Sequence, residues 1–379
     1  MTRIRKFLAV SVLLLPLFIL GCNTNSSTIE KNDSRLKILS TIAQIGDLVV
    51  EVGGTRVQST VLVRGELNPH SYELVKGDDE KIQGANLIIY NGLGLEHGAS
   101  VAAMIDIHPN HFALAESIRD RYPDKILWKG TTPDPHIWMD VSLWREAVDP
   151  ITSQLIQLDP EGKSYYLARA EILKEKMGKT DQAIFELIQS IPDKKRYLVT
   201  SHDAFHYFAR RYLASDGEVD WARRFAAPEG LSPDGQLNPI DLQKIVDHLF
   251  VYQIEVLFPE SNVSRDSIRK IADAGKKMKI DLLVCREVLY GDSLKGSYLE
   301  AMMHNAQVIT EYLYRDRPIT LNLDSARRSQ IEAKRSVGGS PFPIGKGDEK
   351  DRFGEVAASL NSKLLAGRGI KKDVHEKSV

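Results

Sequence analysis

The stretch that decides the fold is residues 159–190, DPEGKSYYLARAEILKEKMGKTDQAIFELIQS. Asp159-Pro160 opens it, and Tyr166, Ala170, Leu173, Met177, Ile184 and Ile188 then recur at steps of three, four or seven residues, the spacing of one apolar helix face. No proline follows inside the run, so one helix of about 30 residues, roughly 45 Å long, is expected. Gly178 is the residue that weakens it, because a glycine in a helix interior loses more backbone entropy than any other residue.

On either side of this helix the pattern changes to short apolar or β-branched runs alternating with helical segments. Before it, residues 36–40, 58–63, 86–90 and 111–115 read as strands. After Pro192, residues 196–200, 255–259 and 281–285 read as strands, separated by helical runs at 238–252 and 265–278, with a last helix over 296–314. The expected fold class is therefore α/β: two lobes, each with a mainly parallel sheet, bridged by one long rigid α-helix. The expected limits are 36–157 for the N-terminal lobe, 158–191 for the linking helix and 192–315 for the C-terminal lobe. A hydrophobic content of 42% in 379 residues suffices for two cores.

The ends read differently again. Arg3, Arg5 and Lys6 precede an apolar run from Phe7 to Leu20, the signature of an export signal. The run is shorter than the ~20 residues a spanning helix needs, and it contains Pro16. It ends in Ile19-Leu20-Gly21-Cys22, which resembles the processing site of bacterial lipoproteins. Residues 1–21 are accordingly expected to be a lipoprotein signal peptide, Cys22 the acylated residue that anchors the chain to a membrane, and 22–35 a polar, flexible tether. Beyond Arg315 the periodicity decays, with a short helix near 353–365 as its one remaining signal, and residues 316–379 are expected to be a mobile extension.

Charge names no partner: 50 basic and 51 acidic residues give a net charge of −1, without the basic footprint of a nucleic-acid binder. With Cys22 modified, Cys285 is the one remaining cysteine, so no disulfide can form within the chain. Its apolar setting, Ile280 to Val284, predicts a buried structural thiol.

The chemistry is concentrated in histidines with a shared context. Asn68-Pro69-His70 and Asp134-Pro135-His136 repeat one pattern, a short polar residue, proline and histidine, where strand-like segments give way to loops. Proline fixes φ ahead of each histidine, so the imidazole loses little entropy on binding a ligand. Thr200-Ser201-His202-Asp203 closes and follows the parallel strand expected over 196–200, at the carboxyl end where α/β sheets present binding groups. Tyr290-Gly291-Asp292 places a carboxylate at the equivalent end of another strand. Imidazole nitrogen and carboxylate oxygen suit zinc, manganese and iron(II), and no cysteine cluster points to a thiolate site.

These motifs resemble one family, the TroA-like metal-binding receptors of bacterial ABC importers, over about residues 38–314. The resemblance rests on Thr41-Ile42-Ala43-Gln44-Ile45-Gly46-Asp47, Asn68-Pro69-His70-Ser71-Tyr72-Glu73, Asn91-Gly92-Leu93-Gly94-Leu95-Glu96, Asp134-Pro135-His136-Ile137-Trp138-Met139-Asp140, Thr200-Ser201-His202-Asp203-Ala204-Phe205 and Met303-His304-Asn305. It implies two α/β lobes with the metal in the cleft between them, and His70, His136, His202 and Asp292 as the metal ligands. It further implies an exported, lipid-anchored monomer in the cell envelope that captures one divalent ion of manganese, zinc or iron and delivers it to an ABC permease and its ATPase. Asn68 departs from the aspartate usual before the first Pro-His. His206 and Glu260 are rival donors near the same motifs. The modest histidine content of 97–111, with His97, His108 and His111 expected at the surface, tilts the reading towards manganese or iron.

Two other classes compete: an exported zinc metallohydrolase with Asp292 as base, and a surface adhesin or interaction protein indifferent to metal. No His-Glu-x-x-His helix supports the first. The receptor reading expects no enzyme, and metal affinity that falls as pH drops through the imidazole range.

Overall fold

The computed structural model describes residues 34–232 and 239–314. The expected signal segment, Cys22, most of the tether, the first residue of the 238–252 run and the extension beyond 315 lie outside the described residues. Among the described residues no helix is long and apolar enough to cross a membrane.

The first half of the chain forms a four-stranded parallel sheet in the order β2-β1-β3-β4, from β1 Leu36–Ser40, β2 Val57–Val61, β3 Leu87–Tyr90 and β4 His111–Ala113. Successive residues of a strand face opposite sides of a sheet, and both faces are covered here: Ile38 packs into the main core while its neighbour Leu39 packs into a smaller one with Ile82, Ile88, Val101 and Ile105. The run at 111–115 is a strand only to Ala113, because Leu114 begins the helix Leu114–Arg121. A two-stranded antiparallel hairpin, β5 Trp128–Lys129 with β6 Thr132–Pro133, was not expected from the sequence.

The second half repeats the design with shorter strands. β7 Leu198–Val199 pairs in parallel with β8 Phe225–Ala226, and β9 Val256–Leu257 with β10 Leu283–Val284. Phe258 N donates to Val199 O at 2.9 Å and so joins the two pairs. Leu198, Phe225 and Val256 enter the main core, whereas Val199, Ala226 and Leu257 face a separate core with Ile245, Leu249, Ile268 and Ile271.

The linking helix runs unbroken over Lys163–Gln189 and buries Tyr166, Ala170, Leu173, Met177, Ile184 and Ile188. It begins four residues later than Asp159. That side chain is engaged elsewhere, accepting from Arg56 Nε and Nη2 at 2.6 and 2.7 Å and from the Tyr166 hydroxyl at 2.6 Å, and Pro160–Gly162 makes a 3₁₀ turn. Asp181, the polar member of the buried stripe, accepts from Arg211 Nε at 3.0 Å and from the Tyr212 hydroxyl at 2.8 Å. The helix thus packs on Ala43–Gly53 and Val148–Leu158 from the first half and on the last helix, Tyr298–Tyr314, from the second.

Candidate metal centre

The polar-Pro-His repeat has a common local geometry. Asn68 Oδ1 accepts from the His70 backbone N–H at 2.9 Å, and Asp134 Oδ1 accepts from that of His136 at 3.0 Å. Each polar side chain closes a turn on the backbone two residues on, with proline fixing the residue between. Asp134 does more than Asn68, because the same Oδ1 also lies 2.8 Å from His136 Nδ1.

His202 leaves the end of β7. Its backbone N–H and that of Ser201 donate to Glu260 Oε1 at 2.8 and 3.0 Å, and its Nδ1 lies 2.7 Å from Glu260 Oε2. Glu260, read from sequence as a rival ligand, is instead the partner behind a histidine. Carboxylates accept, so in the neutral ring of His136 the proton sits on Nδ1 and Nε2 offers its lone pair. Asp292 is set by the turn before it: Asn305, on the last helix, accepts from Tyr290 N at 2.8 Å and donates to Tyr290 O at 2.8 Å. Asn262 Nδ2 donates to Asp292 Oδ2 at 3.2 Å.

The fold brings His70, His136, His202 and Asp292 together with one donor atom each inside a 4.8 Å span. Their relative exposures are 1%, 0%, 0% and 5%, so water does not solvate the cluster freely. His70 Nε2 lies 3.2 Å from His136 Nε2 and 3.6 Å from Asp292 Oδ2, while Asp292 sits 3.4 Å from His136 Nε2 and 3.3 Å from His202 Nε2. Bonds of about 2.0–2.2 Å in a tetrahedral shell would set neighbouring donors roughly 3.3–3.6 Å apart. His202 Nε2 and Asp292 Oδ1 are buried without a hydrogen-bond partner among the described residues, a costly state unless something else binds them.

The electrostatics differ from ring to ring. Burial holds the His70 imidazole below its ordinary pKa, only partly offset by Asp292. Burial also opposes charge on His136, but Asp134 and Asp292 outweigh it and lift the pKa to about 9. At His202, burial is likewise overcome, by Glu260 and Asp292, and the pKa rises. Asp292 is held well below the carboxylate range: burial would raise it, and the three histidines, His202 foremost, prevail.

The rivals fall elsewhere. His206 Nδ1 lies 3.0 Å from Asp203 Oδ1, outside the cluster, and Cys285 is buried with its thiol pushed up to about 12 by burial. His97 is exposed with its ring 5.8 Å from that of His70, and His111 is exposed. His108 was expected at the surface but is buried at 8% exposure, its Nδ1 2.7 Å from Asn110 O. A cavity of about 410 Å³ lies nearby, lined among others by Lys129, Asp134, Asp203 and His206, but none of the four clustered donors lines it.

Residues 38–312 match the family model described as the zinc-uptake complex component A, periplasmic. The chain is 40% identical to the metal-binding protein YtgA of Chlamydia pneumoniae over 296 residues, 77% of this chain and 90% of that one. It is 32% identical to the manganese-binding lipoprotein MntA of Bacillus subtilis over 318 residues, covering 82% and 99%. Among solved structures, Fe(III)-bound YtgA from Chlamydia trachomatis superposes with a TM-score of 0.70 at 36% identity, covering 73% of this chain and 98% of that one. The periplasmic zinc-binding protein TroA of Treponema pallidum superposes with a TM-score of 0.67 at 25% identity, covering 74% and 100%. The two-lobed architecture read from the sequence is thus the architecture of these relatives.

Proposed function

This chain belongs to the family of the zinc-uptake complex component A, and from that premise we propose that it is an exported receptor that captures one transition-metal ion for an ABC importer. The ion comes from the set of manganese, iron and zinc that the similar proteins bind. His70, His136 and His202 through Nε2, and Asp292 through a carboxylate oxygen, are the proposed ligands. The proposed lobe limits, 36–157 and 192–315 about the 158–191 helix, give each lobe two of them. Lipid attachment through Cys22, delivery to a permease with its ATPase, residence in the cell envelope and action as a monomer are parts of the same proposal.

The observation that supports this most is the convergence of four buried side chains whose donor atoms lie within 4.8 Å of one another, with His202 Nε2 and Asp292 Oδ1 lacking a hydrogen-bond partner among the described residues. Four protein ligands close the shell, whereas a metal that activates water keeps a position open. Capture and hand-over are the chemistry this donor set suits. Elemental analysis of the chain purified from its own host should find about one metal ion per chain. The His70→Ala/His136→Ala double variant should retain less than a tenth of that. Equal metal content in the two would overturn the ligand assignment.

A further inference from the structure

The Thr41–Asp47 motif contributes no ligand, yet two of its side chains reach across to the second half of the chain. Gln44 Nε2 donates to Gly291 O at 3.2 Å, and Asp47 Oδ2 accepts from Tyr298 N at 3.1 Å. Gly291 O accepts a second bond, from Trp138 Nε1 at 2.9 Å, and the backbone O of Trp138 accepts from the Tyr298 hydroxyl at 2.6 Å. One carbonyl, in the residue before Asp292, therefore holds two donors from the first lobe, and Trp138 stands two residues after His136.

Gly291 also bears on His202. A Cβ built there would lie 2.6 Å from Glu260 Oε2, the oxygen that faces His202 Nδ1 at 2.7 Å. The missing side chain leaves room for the Glu260 carboxylate. Gln44 and Trp138 are fully or almost fully buried, and among the described residues nothing donates to Gln44 Oε1. A buried amide that leaves its own oxygen unsatisfied is a poor choice for packing alone, since methionine would fill the space without that cost.

From this we infer that Gln44 and Trp138 are positioning residues for metal retention. Their bonds to Gly291 O hold Asp292 against the histidines, so that the metal leaves when this seam between the lobes parts. The inference rests on the four-ligand reading above and adds to it what sets the rate of release.

The test is zinc(II) dissociation from the full chain, loaded one to one and mixed with excess chromogenic chelator. Gln44→Met and Trp138→Phe each remove one donor and keep most of the buried volume. Each should speed release about tenfold, the effect of losing one well-placed hydrogen bond. In an Asp292→Ala background the same substitutions should change the rate less than twofold, because they act through the missing carboxylate. A merely structural role would give the same factor in both backgrounds, and that result, or an unchanged rate in the native background, overturns the inference. If Trp138→Phe fails to fold, Gln44→Met decides alone. If the native chain retains no zinc, the ligand assignment itself fails. If it retains zinc and Gln44→Met releases it no faster, only the inference falls.

Discussion

Burial disfavours charge on all three histidines of the cluster, and the carboxylate behind each ring decides the outcome. His70 meets only the shared Asp292 carboxylate and is held low; His136 and His202, backed by Asp134 and Glu260, are lifted. With its pKa lifted to about 9, the metal-free His136 ring holds a second proton at neutral pH that binding must displace, and the upward shift at His202 acts in the same direction. Affinity should therefore keep rising from pH 6 to about pH 9, the value to which His136 is lifted. The sequence alone predicts a change confined to the ordinary imidazole range near 6.5. The metal-free fold has the opposite dependence: a raised imidazole pKa stabilises it below the unfolded value of about 6.5, and that contribution is lost as pH rises through about 9. Chelator-competition titrations at pH 6, 7, 8 and 9 check the first statement, and an affinity that levelled off above pH 7 would contradict it. His70 and His136 could be picked out as candidates because the polar-Pro-His turns are local. Glu260 was legible only as a rival donor, and its role behind His202 was not, because its bond to the His202 backbone spans 58 positions and leaves no trace in spacing.

The linking helix packs on helices from both halves of the chain, and Gly178 is its weakest interior residue. A Cβ at that position would meet only Arg145 Nη1, at 3.6 Å, an ordinary contact. Gly178→Ala should stabilise the chain by about 0.5–1 kcal/mol, the helix-propensity difference. Equilibrium urea unfolding of the metal-free chain should find the midpoint raised with the slope unchanged. A lowered midpoint would mean that the helix needs the glycine for a bend. The helix was legible because one apolar face recurs along its 27 residues, and the first sheet because its strands are three to five residues long and carry apolar or β-branched residues. The two-residue strands of the second half were found only as the centres of longer apolar runs. β8 was missed because Phe225-Ala226 is two residues beside Arg223 and Arg224, too short for periodicity to register. The hairpin of β5 and β6 failed for the same reason.

At the scale of the whole molecule, the proposed site takes His70 and His136 from loops of the first half, His202 from the loop after β7 and Asp292 from the turn after the Leu289 bridge. On the proposed limits neither lobe holds more than two donors, so the proposal has each lobe alone binding metal weakly and the ion acting as a bridge. A ligand that binds only the closed, folded state stabilises it by an amount set by its free concentration over Kd, about 2.7 kcal/mol at a hundredfold excess. That protection must then reach both sheets. In hydrogen exchange with and without saturating zinc(II), the amides of β3 (Leu87–Tyr90) and of β9 (Val256–Leu257) should both slow on metal binding. An ion held by one lobe alone would protect only that lobe's strands and leave the other set unchanged. Removing Asp292 tests the bridge itself. Asp292→Ala leaves two histidines on the first lobe and one on the second, so protection of β9 should fall more than that of β3. Equal losses in both strands would mean that the ion stabilises the fold without joining its halves.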